Sequence, residues 1–171
     1  MLFPDIIAIV PASGRGTRFG APKSEIMIDG LTFAERIEST LREAGIEQIR
    51  IARDLDTPDM LATVRETIAD LKPRQARSYL IWPVDHPDVL AQTVKTMCSM
   101  SLIMPLAIVC PSYKGKYGHP VLIPASLNLN SGDQRRGLAG IIHSGDYTVV
   151  DLPVEDPGIL HNINQPSDFE E

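Results

Sequence analysis

The stretch Ile6-Ile7-Ala8-Ile9-Val10-Pro11-Ala12-Ser13-Gly14-Arg15-Gly16-Thr17-Arg18-Phe19-Gly20-Ala21-Pro22-Lys23 decides how the rest of the chain is read. Ile6 to Val10 is an unbroken apolar run closed by Pro11, the pattern of a strand buried on both faces of a parallel sheet. Three glycines follow, at 14, 16 and 20. Glycine tolerates positive φ and has no side chain to obstruct an anion, so such a loop can turn backbone N–H groups toward a phosphate. Arg15, Arg18 and Lys23 add cations to the same short segment. Spacing excludes two familiar phosphate loops. Gly14, Gly16 and Gly20 make G-x-G-x-x-x-G, one residue too long for a dinucleotide loop, and Lys23 follows Pro22 and precedes the strand-like Ile26-Met27-Ile28 instead of opening a helix as a Walker lysine does.

Beyond this loop the chain alternates between helical and strand patterns. Thr32 to Ala44 sets Phe33, Ala34, Ile37, Leu41 and Ala44 on one helical face, with Gly45 as the stop. Ile49 to Ala52 reads as a strand. Asp56 and Thr57 before Pro58 signal a helix start, and its stripe of Leu61, Val64 and Ile68 ends near Pro73. Ser78 to Pro83 is a further strand, and Asp88 is placed to cap a helix running to about Met100 with Leu90, Val94 and Met97 inward. Such alternation predicts an α/β layered fold on a mostly parallel sheet. The last third reads as strands at Leu106–Cys110 and Val121–Ile123 joined by a long hairpin-like excursion, a short helix over Asp133–His143 and a final strand at Tyr147–Leu152.

Composition bounds the partners. The chain has 171 residues, 43% of them hydrophobic, which suits one domain whose core needs no disulfide or metal staple. Lys and Arg total 16 against 22 Asp and Glu, a formal charge of −6 with no basic block, so neither nucleic acid nor an anionic membrane surface is an expected partner. Four Phe, four Tyr and one Trp supply little base-stacking surface. Cys98 and Cys110 lack metal-ligand spacing and read as reduced, buried thiols. The run Ile6–Val10 is too short to span a bilayer and lacks the flanks of a signal peptide, so the expected location is the cytoplasm.

A second candidate lies in Trp82-Pro83-Val84-Asp85-His86-Pro87. Asp85 follows the carboxyl end of a predicted strand, where open α/β sheets bind ligands, and a carboxylate there can hold a metal ion against phosphates. Taken alone it also reads as a turn residue or helix cap before a proline. His86 reads as structural, because one histidine beside a hard-ion carboxylate is not a zinc site.

The first loop resembles a nucleotidyltransferase signature, A-x-G-x-G-x-R-M/F-G-x-P-K: Ala12, Gly14, Gly16, Arg18, Phe19, Gly20, Pro22 and Lys23 stand at matching positions. Gly118-His119-Pro120-Val121 resembles the G-H-P-V segment of the branch containing the molybdenum cofactor cytidylyltransferases, and Gly132-Asp133 its following G-D. The chain is thus similar to MobA-like NTP transferases from about Ile6 to Asp168. The resemblance implies a Rossmann-like three-layer α/β/α nucleotide-diphospho-sugar transferase fold as a single domain over 1–171. It also implies transfer of a nucleoside monophosphate from an NTP, CTP favoured, to a phosphorylated acceptor such as molybdopterin, with Mg2+ as cofactor and pyrophosphate released.

Residue by residue, the resemblance places the nucleotide phosphates on the backbone of Ala12, Ser13, Gly14, Arg15 and Gly16, with Arg18 and Lys23 neutralising charge at the α-phosphate and pyrophosphate. Asp85 matches the Asp of the family's D-x-P and is implied to bind Mg2+ together with Asn162. His119, Lys114 and Lys116 are the candidates for the acceptor and its phosphate, although the two lysines read equally as a solvated hairpin tip.

The chain departs from the family pattern twice. Asn162-Ile163-Asn164-Gln165-Pro166-Ser167-Asp168 stands where the family usually has D-I-D-T-P-E-D, replacing two carboxylates by amides, as related sugar-nucleotide pyrophosphorylases do at the first position. Between Ile51 and Ser78 about one strand–helix unit is missing, with Asp59-Met60-Leu61-Ala62-Thr63-Val64 as a remnant of a nucleotide-lining segment. A sugar 1-phosphate nucleotidyltransferase and a catalytically degenerate nucleotide-binding protein are therefore the alternatives.

Overall fold

The computed structural model describes residues 1–12, 26–53, 55–71, 76–164 and 168. The apolar run becomes β1 (Ile6–Pro11), buried along its whole length. It pairs in parallel with β4 (Gln48–Ala52) on one side and β5 (Ser78–Ile81) on the other. A small antiparallel pair, β2 (Met27–Ile28) and β3 (Leu31–Thr32), stands apart from this sheet.

The sheet continues through β8 (Val121–Pro124), antiparallel to β5 and to β6 (Ile108–Tyr113). At the far side β6 pairs in parallel with β9 (Val149–Pro153) and turns back on itself through β7 (Lys116–Tyr117). The order is β4-β1-β5-β8-β6 with β7 and β9 both on β6. This is the mixed, mostly parallel sheet that the alternation predicts, with β8 as the reversed strand. Its middle is short: β4 is an edge strand, and among the described residues one helix separates it from β5.

Successive strand residues face opposite sides of a sheet, and the burial follows that period of two. Ile6, Ala8, Val10, Leu80, Val109 and Leu122 enter one core with α1 (Phe33–Ala44) and α3 (Ala91–Ile103). Ile9, Ile81, Ile108, Cys110, Val121 and Ile123 enter the other with α2 (Met60–Asp70) and α4 (Gly137–Ile142). Helices on both faces give the three layers.

Local chemistry sets the helix ends. Thr32 and Glu35 form a reciprocal capping box at the start of α1, and Gly45 stops it at φ 93°. A side chain at Gly45 would also place its Cβ 2.2 Å from Met1 O, so glycine is needed there twice over. The predicted start of α2 at Asp56–Pro58 moves to Asp59, whose carboxylate accepts the Ala62 N–H at 2.8 Å.

Asp88 does not cap α3. The N-cap is Leu90, without a side-chain cap bond of its own and 53% exposed instead of inward. Asp156 arrives from beyond β9 and does the work: Oδ2 accepts Leu90 N–H at 2.9 Å and the Thr93 hydroxyl at 2.6 Å, while Oδ1 accepts Gly158 N–H at 2.9 Å.

In the last third, Leu106 lies outside β6 and is 72% exposed. The long excursion closes as a tight β6–β7 hairpin whose tip, Lys114-Gly115, takes φ of 49° and 76°. The predicted helix over Asp133–His143 divides into a 3-10 turn at Gln134–Arg136 and the six-residue α4. Cys98 and Cys110 are buried and unbridged, and burial pushes their thiols up to about 12 and about 11, which suits inert core residues. No described helix is long and apolar enough to cross a membrane.

Candidate active site

The parallel strands β1 and β5 end on the same edge of the sheet. Val121, where β8 begins, is paired with Ile81, so Gly118-His119-Pro120 joins that edge too. Ligands of open α/β sheets bind beyond the carboxyl ends of their strands. Three segments converge there: the loop from Trp82 to Leu90, the run into β8, and the chain after β9.

Asp85 sits in a turn that is pinned from several directions. His86 N–H donates to Pro83 O at 3.2 Å, and the fully buried Trp82 donates Nε1–H to His86 O at 2.8 Å. Ile163 N–H donates to Asp85 O at 2.8 Å. That last bond brings Asn162 and Asn164 beside Asp85, uniting two candidate metal-binding segments from distant parts of the chain. Asn164 Nδ2 donates to Asn162 Oδ1, and Asn164 N–H to Asp168 Oδ2, each at 2.8 Å.

Asp88 braces the same junction instead of capping α3. Its Oδ1 takes the Arg36 guanidinium at 3.1 Å and its Oδ2 meets His161 Nδ1 at 2.7 Å. One carboxylate thereby ties α1 to the Asp85 loop and to the segment carrying Asn162.

His119 is held by its N–H to Ile159 O at 2.9 Å. A Cβ at Gly118 would lie 2.3 Å from the same Ile159 O, which is the physical reason for glycine in this Gly-His-Pro run. The His119 ring tilts 60° against His86 with centroids 4.7 Å apart. Burial, and then the neighbouring His86, push the His119 imidazole down to about 4 against a smaller opposing pull from Asp85, so it is neutral at pH 7. Its buried Nδ1 has no hydrogen-bond partner among the described residues.

A cavity of about 520 Å³ opens beside Gly118 and His119 on the α2–α4 side of the sheet. Met60, Leu61, Val121, Leu138, Ile142 and Val149 make its walls apolar, and Arg135, Arg136 and His143 supply cationic or titratable groups. Arg65 of α2 donates to Leu129 O through Nε at 3.1 Å and Nη2 at 2.5 Å and also meets Gln134 Oε1, strapping α2 to the segment that leads into α4.

The sequence-predicted residues fare differently. Ser13, Gly14, Arg15, Gly16, Arg18 and Lys23 lie outside the described residues. Ala12 is a correction: its N–H donates to Ala52 O at 2.9 Å, so that amide extends the β1–β4 ladder instead of facing a phosphate. Asp85 and Asn162 are brought together, and His119 lines the cavity. Lys114 and Lys116 sit on the exposed hairpin outside the cavity lining, with Lys114 Nζ 5.0 Å from the Tyr113 ring centroid. Arg135 and Arg136 were not singled out by sequence, though a pair of arginines directly after Gly-Asp-Gln was a readable signal.

The donor set suits a hard divalent ion. Asp85 and Asn162 offer oxygens only, and no group of three or more His, Cys, Asp or Glu among the described residues makes a self-sufficient metal cage. Mg2+ is commonly bound by one or two protein oxygens with substrate phosphates and water completing the shell.

Carboxylate loop, amide pair and cavity at the carboxyl edge of a three-layer sheet define a Rossmann-like protein of the nucleotidyltransferase type. Residues 8–147 match the MobA-like NTP transferase domain, and the chain belongs to that family, whose activity class is NTP transfer. No curated protein matches by sequence. Among solved structures, Rv0371c from Mycobacterium tuberculosis H37Rv superposes with a TM-score of 0.80 at 21% identity, covering 98% of this chain and 96% of that one. Its complex with manganese matches with a TM-score of 0.71 at 21% identity over 88% of each chain. Molybdopterin-guanine dinucleotide biosynthesis protein A from Archaeoglobus fulgidus gives 0.65 at 18% identity, covering 95% of this chain and 94% of that one. These structural likenesses establish the shared fold.

Proposed function

We propose that the protein transfers a nucleoside monophosphate from an NTP to a phosphorylated acceptor, releasing pyrophosphate, with Mg2+ held by Asp85 and Asn162. The observation that carries this reading is the Ile163 N–H to Asp85 O bond of 2.8 Å, which joins the two oxygen-bearing segments at the ligand-binding edge of the sheet. The manganese complex of Rv0371c supports a divalent ion in this fold. When bound, the ion supplies Lewis-acid stabilisation of charge on the phosphate oxygens.

The remaining work falls to the chain. By the family signature, Arg18 and Lys23 neutralise the α-phosphate and the departing pyrophosphate. Asp85 and Asn162 position, and the brace of Asp88, Arg36 and His161 keeps their segments together. An acceptor phosphate is already ionised at neutral pH, so the reaction needs no general base. The neutral His119 fits that scheme as a wall residue and hydrogen-bonding group.

The cavity bears on the acceptor. Its apolar walls favour a flat or apolar body carrying the phosphate, as a pterin such as molybdopterin does, over a sugar 1-phosphate, whose hydroxyls lose hydrogen bonds against Met60, Leu138 and Ile142. Arg135 and Arg136 are suited to meet the acceptor's charge. CTP as donor follows from the family branch. Pyrophosphate release with each of the four NTPs, Mg2+ and phosphorylated acceptors tests the reading: turnover selective for one base is expected, and a Lys23→Ala protein as active as wild type contradicts the assigned chemistry.

One observation favours a second reading, a nucleotide binder without turnover. Asn162 Oδ1 is shared with Asn164 Nδ2 at 2.8 Å, and an amide brings no negative charge to an ion. In that case an NTP raises stability by about 2.7 kcal/mol at a hundredfold excess over its Kd, while no acceptor yields pyrophosphate.

A further inference from the structure

We propose that His86 is a positioning residue for the Asp85 carboxylate: its Nδ1–H, 3.1 Å from Asp85 Oδ1, sets the orientation in which that carboxylate meets a divalent ion. This rests on the reading that Asp85 holds the ion. A carboxylate ionised at neutral pH only accepts hydrogen bonds, so the Nδ1 facing it must carry the proton. The tautomer of His86 is therefore set by its neighbour in the chain, in the manner of outer-shell partners that orient ligands.

The imidazole is built to stay where it is. Its side chain is 7% exposed, against 21% for Asp85, so the donor is packed while the group it restrains reaches toward solvent. One side of the ring meets His119, with centroids 4.7 Å apart. The backbone of His86 is fixed at both its polar groups, N–H to Pro83 O at 3.2 Å and O from Trp82 Nε1 at 2.8 Å. A packed donor narrows the rotamers open to a partly exposed carboxylate, and ordering a ligand only when the ion arrives costs affinity. A preset orientation removes that cost.

The geometry also says what His86 is not. Its Nδ1 is directed to the carboxylate and its ring meets that of His119, so through that nitrogen it acts on Asp85 and not on the ion. Asparagine carries an amide nitrogen as far along the side chain as Nδ1, whereas leucine fills a similar space with no donor. Those two substitutions separate hydrogen bonding from packing.

Mn2+ binding to the full-length protein, followed by electron paramagnetic resonance without nucleotide, gives a readout independent of turnover. His86→Leu is expected to bind about 10- to 100-fold more weakly than wild type, as losses of outer-shell partners do. His86→Asn is expected to stay within about threefold, and Mg2+ activation of turnover should shift in the same order with kcat at saturating Mg2+ little changed. The Asn variant keeps the test decisive if the Leu variant unfolds: Mn2+ binding by folded His86→Asn weakened about tenfold or more overturns the proposal. Leu and wild type binding alike, with Asp85→Asn weak, overturns the positioning role alone. Asp85→Asn binding as tightly as wild type removes the ion from Asp85, and the proposal falls with that reading.

Discussion

On the face of the sheet covered by α1 and α3, Phe33, Ile37, Leu41, Val94 and Met97 are fully buried against alternate residues of β1, β5 and β8. On the face covered by α2 and α4, the same sheet carries a cavity of about 520 Å³. The difference follows from cover. α1 and α3 are 12 and 13 residues long, whereas α4 spans six, so its end of the sheet is roofed by less helix and the space beside it stays open. The first face holds the fold together, and the second leaves room for a ligand. The cavity reaches the carboxyl edge of the sheet at His119, whose ring meets that of His86.

The contrast is sharpest at the helix caps. Asp156 is 2% exposed and accepts the Leu90 N–H and the Thr93 hydroxyl at the start of α3 as well as the Gly158 N–H of its own turn. Asp156→Ala should therefore cost about 3 kcal/mol, since hydrogen bonds to a charged group are each worth about 1.5–3 kcal/mol. Chemical denaturation measures it, and a loss no larger than an exposed cap would end the claim that stability is concentrated on the α1–α3 side.

Acid tests the seam between the faces. An unperturbed histidine titrates near 6.5, and burial brings His119 down to about 4 in the folded protein. A group depressed by folding contributes stability that is present above the unfolded value and is lost as pH falls through the folded one. Between pH 7 and pH 4.5 this amounts to about 2 kcal/mol. Urea unfolding at the two values, compared with His119→Gln, isolates it, and an unchanged pH dependence in the variant would show that His119 is not buried in neutral form.

On the open face, changes should move binding more than folding. Ile142→Trp projects bulk into the cavity and should raise the acceptor KM about tenfold, equivalent to 1.4 kcal/mol, with the NTP KM and the unfolding midpoint nearly unchanged. Steady-state kinetics against each substrate checks the split. The smallest effect is expected for Asp59→Ala, which removes the α2 cap at the cavity mouth: about 1 kcal/mol in stability, read by thermal unfolding, because its single bond to Ala62 N–H is exposed.

How much of this was legible in the sequence divides along physical lines. The apolar run at Ile6, the stripe of α1 and the Gly45 stop are local patterns, and they appear as predicted. The cap of α3 was not readable, because Asp156 lies 66 residues from the amide that it binds and nearby Asp88 looked like the better candidate. The family pattern implied that Asp85 and Asn162 share an ion, but gave no sign of the Ile163 bond that joins their two segments. Lys114 and Lys116 read in sequence equally as acceptor contacts or as a solvated hairpin, and the structure sets Lys114 at the hairpin tip and Lys116 in the returning strand β7, both exposed. The cavity was invisible, since its walls come from five separate segments.

The central claim is that Asp85, set into the sheet edge and joined to Asn162 through Ile163, serves nucleotidyl transfer. The most direct measurement follows an α-phosphate label from NTP to a phosphorylated pterin acceptor in the presence of Mg2+. Label should move to the acceptor with release of unlabelled pyrophosphate, and Asp85→Asn should slow that step by about a hundredfold or more, the scale of losing one charge-stabilising group. Binding of NTP without label transfer to any phosphorylated acceptor, or an Asp85→Asn protein as fast as wild type, would contradict it.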